Sequence, residues 1–320
     1  MLELLKLILD GEFHSGEALG RQLGISRAAV WKQLQRLESE EYQLSIHKVR
    51  GRGYRLAEPL ALLDPSRIDS SELGLQVVKV FHELDSTNAE ALREVAVNAK
   101  PPILILAEKQ SSGRGRRGRQ WVSPFGQNIY YSLMLHLDQG ASLLEGLSLT
   151  VGLAVLRTLR EAGVDKVGLK WPNDLLVGDK KIAGILLEII GDPADICHVV
   201  IGVGINVNMR ADADQIDRPW TSTKLVTGRT LERNALVGRL NFYISRYLSR
   251  VREKGFASLR EEWEREHLWQ GRSVRLSSGA GSIIGIVVGI DDHGALRLLV
   301  DGEERRCSGG ELSLRLHNDS

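Results

Sequence analysis

The chain of 320 residues is defined first by what it lacks. No apolar run approaches the roughly 20 residues needed to span a bilayer, so a membrane partner is excluded. The opening Met1 to Leu9 is apolar, but Glu3 and Lys6 interrupt it and no small-residue cleavage site follows. Its polar positions fall on one helical face, so it reads as an amphipathic first helix and not a signal peptide. Cysteine is nearly absent. Cys197 and Cys307 make no CxxC or zinc spacing, which excludes a disulfide scaffold and a zinc module and points to structural thiols in a reducing, cytoplasmic compartment. An excess of one charge is also missing: 42 Lys and Arg against 41 Asp and Glu give a net charge of +1. That argues against a wholly basic nucleic-acid protein and leaves room for a local basic patch. Hydrophobic content of 42% with 26% charged residues is ordinary for a globular chain long enough for two or three domains.

What is there falls into three grammars. Up to about residue 62 the order is helix, helix, sharp turn, helix, then β-hairpin. Ser15 caps a helix to Leu23, Gly24-Ile25-Ser26 makes the turn, and Ser26 caps a helix from about Arg27 to Ser39. Residues Ser26, Arg27, Ala28, Trp31, Lys32 and Gln35 stay mostly outward. Arg50-Gly51-Arg52 forms a basic hairpin tip. This is the order of a winged helix-turn-helix, with Arg50 and Arg52 on the wing. Between Arg27 and Arg55 seven basic residues face three acidic ones, so the positive charge gathers where phosphates would lie. A three-helix protein-interaction module is the alternative.

Glu58-Pro59 and Asp64-Pro65 bracket an expected linker into a body spanning 63–268. Apolar runs at 77–82, 103–108, 129–137, 167–170, 174–177, 182–190 and 198–207 read as strands. Helical periodicity appears over 88–97, 143–162 and 234–252. Strands outnumber helices and are joined by short turns, so a mixed sheet backed by helices fits better than a Rossmann fold. Gly202-x-Gly204-x-Asn206 lies inside a strand with no helix following, which excludes the dinucleotide reading. These glycines instead let a ligand approach the sheet. From 269 to 320, short strands at 273–276, 283–290, 295–300, 303–308 and 311–315 suggest a small β-barrel of SH3 type. The whole is α+β.

Chemistry concentrates in three stretches. The run Ser112-Gly-Arg-Gly-Arg-Arg-Gly-Arg119, closed by Gln120-Trp121, sets four arginines among three glycines between two apolar segments. Such glycines turn backbone N–H groups toward an anion, and guanidinium forks pair with phosphate or carboxylate. Its crowded charge suggests a loop that orders when an anion arrives; an RNA-binding tract and a solvated linker are the alternatives. The second stretch is Lys170-Trp-Pro-Asn173-Asp174, followed by Lys180-Lys181-Ile-Ala-Gly184. Lys181 heads a long apolar strand, a costly place for a charge without an anionic partner; a hairpin with solvated lysines is equally open. The third, Asp85-Ser86-Thr87-Asn88, reads as a helix N-cap or as hydroxyls and an amide for a small polar ligand.

Taken together and in this order, Asp85 to Asn88, Gln110 with Gly113 to Arg119, Lys170 to Asp174, Lys181 to Gly184 and Gly202 to Asn206 resemble biotin protein ligase. With the amino-terminal reader the chain is similar to the bifunctional kind that also represses a biotin operon. The resemblance runs from about Leu2 to Arg315 and implies a class II synthetase-like central domain. It implies ATP-dependent activation of biotin to biotinyl-5′-AMP, then transfer to a lysine of the biotin carboxyl carrier protein of acetyl-CoA carboxylase. Carried over by position, Ser86, Thr87, Asn88 and Gln110 would bind biotin, and Arg114, Gly115 and Arg116 would close over biotin and the adenylate. Lys181 would contact carboxylate and phosphate. Arg119, Trp121 and Asn173 would join the adenylate site. Asn206 would help hold nucleotide and Mg²⁺, and Trp220, in the loop from Asp214 to Thr223, would stack on adenine. Operator DNA and a homodimer formed with biotinyl-5′-AMP are the implied partners.

The chemistry agrees with these residue types. A carboxylate is already a nucleophile, so activation needs two anions brought together by cations and not a general base. Catalysis is expected from Lys181, Arg116, Lys170 and Asp174. Asp174 would take or orient the acceptor amine's proton, with metal ordering as the rival role. The other readings are a lipoate-type ligase, a ligase that represses nothing, and a non-catalytic biotin-sensing transcription factor. Retained Lys181, Lys170 and Asp174 speak against a pure sensor.

Overall fold

In the computed structural model, which describes residues 1–75, 77–97, 99–138, 144–191, 196–210, 216, 218–278, 281–308 and 312–317, the chain starts its helices at the expected serines. Helix α1 (Leu2–Leu7) is followed by α2 (Gly16–Leu23) and α3 (Arg27–Glu38). Ser15 Oγ accepts from Ala18 N at 3.0 Å and Ser26 Oγ from Ala29 N at 3.2 Å, satisfying N–H groups that a helix start leaves orphaned. Gly24 ends α2 in the left-handed region (φ 65°) and makes the sharp turn. Leu4, Leu5, Ile8, Leu19, Val30, Leu34 and Leu37 bury together. Strands β1 (Ile46–Val49) and β2 (Gly53–Leu56) then pair antiparallel as the wing. The winged helix-turn-helix is as expected.

The central sheet contains β3 (Val77–Phe81), β4 (Ile103–Ala107), β5 (Ile129–Asp138), β6 (Val167–Lys170), β7 (Asp174–Val177), β8 (Lys180–Gly191) and β9 (Ile196–Ile205). Its order is β3-β4-β5-β9-β8-β7-β6. The β3–β4 pair is parallel and the other pairs are antiparallel, the mixed sheet that short turns predicted. Strand alternation divides labour between the faces. Val199, Ile201 and Val203 of β9 enter the main core with α5 (Leu147–Glu161) and α7 (Arg233–Lys254). Val200 instead meets Ala91 of α4 (Thr87–Ala96), on the face that also carries Gly202 and Gly204. Between β9 and α7 lies the short helix α6 (Thr223–Thr227). The expected helix start at Leu143 lies outside the described residues.

Helix α8 (Arg260–Glu266) leads into β10 (Ser273–Ser278), β11 (Gly281–Ile290), β12 (Leu296–Val300), β13 (Glu303–Cys307) and β14 (Ser313–Leu316). They form one antiparallel sheet, ordered β13-β12-β11-β10-β14. Val274, Leu276, Val287 and Leu298 join the central core. Trp171 Nε1 donates to Gly294 O at 3.1 Å, tying the carboxyl-terminal sheet to the β6–β7 turn. Glu311, expected to begin the last strand, lies outside the described residues. No helix among the described residues is long and apolar enough to cross a membrane.

The expected linker is held rather than free. Arg233 and Glu108, 1% and 3% exposed, form a 2.7 Å ion pair beneath it. Arg233 Nη2 donates to Ala61 O at 2.8 Å, Leu63 N donates to Glu108, and Asn234 accepts from Asp64 N at 2.8 Å. A buried pair of this kind costs desolvation and persists where hydrogen bonds complete it, as the linker's backbone does here.

Candidate active site

A pocket opens on the α4 face of the sheet, over the glycines of β8 and β9. A methyl group at Gly202 would come within 2.3 Å of Asn88 Oδ1, and one at Gly204 within 2.5 Å of the Trp121 indole. The glycines therefore bring two of the chain's own side chains, Asn88 and Trp121, down onto the sheet. The pocket is lined by Ser86, Thr87, Asn88, Gln110, Arg114, Gly115, Arg116, Trp121, Asn173 and Lys181, and the sheet forms its floor.

One end of the pocket is neutral and polar. Ser86 caps α4, its Oγ accepting from Ala89 N at 3.4 Å, and also lines the pocket, so the two readings of Asp85 to Asn88 coincide. Asp85 points away into Arg93, whose guanidinium holds its carboxyl down at about 2. Thr87 N donates to Gln110 Oε1 at 2.9 Å, Gln110 Nε2 donates to Ser123 Oγ at 2.9 Å, and Ser123 Oγ donates to Trp121 O at 2.9 Å. Ser132 Oγ donates to Asn88 Oδ1 at 2.6 Å. Glu188 Oε2 accepts from both Asn88 Nδ2 at 2.7 Å and Arg114 Nη2 at 2.9 Å. Such a network fixes rotamers in advance of a small polar ligand.

The other end is cationic. Lys181 Nζ lies 2.6 Å from Asp174 Oδ1 and 5.2 Å from the centre of the Trp121 ring. Arg116 Nη1 donates to Asn173 Oδ1 at 2.9 Å, and Asn173 Nδ2 donates to Ile185 O at 2.7 Å. Burial lowers the pKa of Arg116, Arg119 and Lys170. Neighbouring cations add to this. Arg218 and Arg117 act on Arg119, while Lys181, Arg218 and Arg315 act on Lys170; Asp174 opposes each shift. Positive groups crowded this closely and partly dehydrated are a ready receptor for a polyanion. Trp121 Nε1 is buried with no hydrogen-bond partner among the described residues, a donor that would gain from an acceptor on a ligand.

The Gly/Arg run forms a tight hairpin in the structure rather than an open loop. Arg114 bridges Gln120, Gly115 N donates to Arg119 O at 2.7 Å, and Trp121 N donates to Gly113 O at 2.8 Å. Arg117 sits at the tip with φ 61°. This fold turns Arg116 inward, while Arg114 lines the pocket but stays exposed, and Arg119 lies exposed beside Gly118 and Gln120.

Lys170, Asn206 and Trp220 do not line the pocket but sit behind it, each reaching it through a neighbouring residue. Lys170 faces Asp174 across β6–β7, with its Nζ 4.8 Å from the Trp269 ring centre. Asn206, 4% exposed, donates from Nδ2 to Thr221 O at 3.0 Å. Trp220 pairs with Lys181 through the backbone: Lys181 N donates to Pro219 O at 3.0 Å and Thr221 N to Lys181 O at 2.9 Å. Of the loop expected around Trp220, residues 214, 215 and 217 lie outside the described residues. Sequence reasoning missed Glu188, Ser123, Ser132, Arg218 and Arg315. Glu188 was findable, because strand alternation from Gly184 puts it on the pocket face.

In the amino-terminal domain, Ser26, Arg27, Ala28, Trp31, Lys32, Gln35, Arg50 and Arg52 are all exposed, on α3 and the wing tip. Ser26 spends its hydroxyl on the cap. Phe13, also missed, is a platform for the wing: the guanidiniums of Arg52 and Arg55 lie 4.4 and 4.7 Å from its ring centre.

Comparison with known proteins bears on each part. The profile of the Biotin/lipoate A/B protein ligase family matches residues 80–206, an HTH domain profile matches 1–55, and the Biotin protein ligase C terminal domain profile matches 271–315. The chain is 42% identical over 315 residues to the bifunctional ligase/repressor BirA of Salmonella typhimurium, covering 98% of this chain and 97% of that protein. It is 32% identical over 313 residues to the Bacillus subtilis protein of the same name, covering 95% and 94%. Among solved structures, the Aquifex aeolicus biotin protein ligase in complex with biotin and ATP superposes with a TM-score of 0.67 at 31% identity, covering 76% of this chain and 100% of that one. With the ligase domain, the carboxyl-terminal domain and the DNA reader all matched along nearly its full length, the chain belongs to the biotin protein ligase family, in its bifunctional ligase/repressor branch.

Proposed function

We propose that the pocket joins biotin to MgATP, and that the adenylate serves both as acyl donor and as the signal for DNA binding. The observation that carries this reading is a pocket with two unlike ends on one glycine floor. Thr87, Asn88 and Gln110 supply fixed donors and acceptors for a neutral polar head. Lys181 and Arg116 supply the charge that two anions require. Biotin's carboxylate oxygen attacks the α-phosphorus, and the bond to the bridging oxygen breaks as pyrophosphate leaves. Lys181, Arg116 and Lys170 offset the charge crowding at phosphorus. Arg119 and Trp121 would then lie beside the adenylate, and Trp220 would stack on adenine next to Lys181.

Mg²⁺ would enter with ATP, as part of the substrate. Among the described residues no group of three or more His, Cys, Asp or Glu is gathered to cage a metal. The Asn206 amide oxygen is of the hard type that Mg²⁺ takes alongside phosphate oxygens.

In the second step the lysine amine of the carboxyl carrier protein attacks the acyl carbon, the acyl–phosphate bond breaks as AMP leaves, and the amine's proton passes to the departing phosphate or to solvent. The 2.6 Å contact of Asp174 with Lys181 favours a positioning role for this carboxylate over a role as base. Closing the Gly/Arg hairpin shields the mixed anhydride from water. An adenylate-ordered surface would pair two chains, and two readers would match a palindromic operator. The cytoplasm suits all of these partners.

The test is ATP–pyrophosphate exchange with biotin, with lipoate and with neither, followed by a chase with a carrier domain. Biotin-dependent exchange and carrier labelling are expected. Exchange driven by lipoate would assign the other substrate, and no exchange where biotin binds would make the body a sensor.

A further inference from the structure

Helix α3 carries one large residue that the fold does not use. Val30, Leu34 and Leu37 turn into the reader's core, while Trp31 is left 53% exposed. An indole left in water forfeits a large apolar burial, which a surface meeting this face of α3 would restore. Positions 27, 31 and 35 stack one turn apart, which sets Trp31 between Arg27 and Gln35 with Ala28 and Lys32 alongside. Arg50 and Arg52 stand exposed on the wing. The basic setting selects a polyanionic partner whose groove admits a helix.

We propose that Trp31 sets the reader's sequence preference by packing its indole on the 5-methyl group of a thymine in the major groove, one such contact per half-site. The inference rests on the reading of this domain as operator-binding. An indole offers flat apolar faces and a single donor. Every base pair turns polar edge groups toward the major groove, and only A·T adds an apolar one, the thymine methyl, on which an indole face gains by packing. Lys32 and the wing arginines serve the phosphates and carry no sequence preference. A second copy of this chain as the occupant of Trp31 would leave DNA binding indifferent to the thymine methyl.

The test uses the full chain with biotin and ATP present. Binding sites are selected from random duplexes, and each thymine of the selected site is then replaced by deoxyuridine, which removes only the methyl group. Affinities are compared at one fixed salt concentration. Loss of one buried methyl is expected to weaken binding about fourfold at a single thymine per half-site, and about fifteenfold when both half-sites are changed. Trp31→Ala is expected to bind the selected site more weakly and to be indifferent to the methyl at that position. Trp31→Phe should keep part of the dependence. Lys32→Ala should bind more weakly while keeping the thymine-to-deoxyuridine ratio of the unaltered chain. Circular dichroism checks that each variant is folded. A selected site with no methyl-dependent thymine, or a dependence that survives in Trp31→Ala, would overturn the role of Trp31 alone. Retention of no duplex at all would overturn the operator reading and this inference with it.

Discussion

Phe125 leaves the Gly/Arg hairpin and buries its ring in the core of the DNA reader, meeting Tyr42 edge-on at 5.2 Å between ring centres. His82 packs on the same ring at 4.7 Å. The other stem of the hairpin is tied as well. Lys109 Nζ reaches Glu83 at 3.1 Å and lies 5.0 Å from the Tyr42 ring centre, one residue before Gln110 in the pocket. The reader therefore backs both stems of the loop that lines the ligand site. Phe125→Ala is expected to lower stability by about 3–5 kcal/mol and to speed release of biotinyl-5′-AMP. Thermal unfolding and stopped-flow fluorescence measure the two. A stability loss with unchanged release would show that the reader does not support the pocket.

The Lys181–Asp174 contact separates two roles. Lys181→Ala is expected to cut ATP–pyrophosphate exchange about 10²–10³-fold, the usual cost of one preorganised charge-stabilising group. Asp174→Asn removes the anion that aims the lysine and should slow exchange about tenfold, the size of one lost charge-assisted contact. Single-turnover transfer from preformed adenylate to the carrier should stay near its original rate. If transfer collapses instead, Asp174 is the base and positioning is secondary.

These pairings also show what a sequence can reveal. Ser15 and Ser26 were legible because capping is local: each serine serves an N–H three residues on. The strands of the sheet were legible as short apolar runs, because a strand covered on both faces, such as β4, is apolar throughout. Glu108 was not, because its meaning lies in Arg233, which only the folded chain brings near; Glu188 could be placed on the pocket face, but not its pairing with Arg114. What holds the linker was hidden for the same reason. Pro and Glu punctuate residues 58–65 as a connector would, yet the backbone there is held by Arg233 and Asn234 from a helix far along the chain. Gly202 and Gly204 announced a close approach to the sheet without saying that Asn88 and Trp121 make it.

Gly202→Ala and Gly204→Ala test that approach separately. The first places a methyl against Asn88, whose Nδ2 is held by Glu188 and whose Oδ1 is held by Ser132, so the side chain has little room to yield. The second pushes on the Trp121 indole. Each clash is expected to cost about 1–3 kcal/mol, about a 5- to 150-fold loss in affinity. Gly202→Ala should weaken biotin, while Gly204→Ala should spare biotin and weaken the adenylate. Titration calorimetry with each ligand checks the split, and equal losses for both ligands in both variants would contradict the two-ended pocket.

His267 gives the molecule a built-in acid sensitivity. It is 5% exposed and stacks on Trp263 at 4.7 Å between ring centres. Burial pushes its pKa down to about 4 from the ordinary 6.5, weakly opposed by Gln270. The unfolded chain therefore binds the proton more readily than the folded one. Stability from the neutral ring is complete above about pH 6.5 and is lost as pH falls toward 4, up to about 3 kcal/mol. A His267→Leu variant, which cannot titrate there, should show a shallower fall in melting temperature between pH 6.5 and 4.5. His82 and His198, also lowered by burial, account for part of the slope that remains. Parallel slopes in the two proteins would mean that His267 is protonated in the folded state without penalty, and that its packing against Trp263 tolerates a charge.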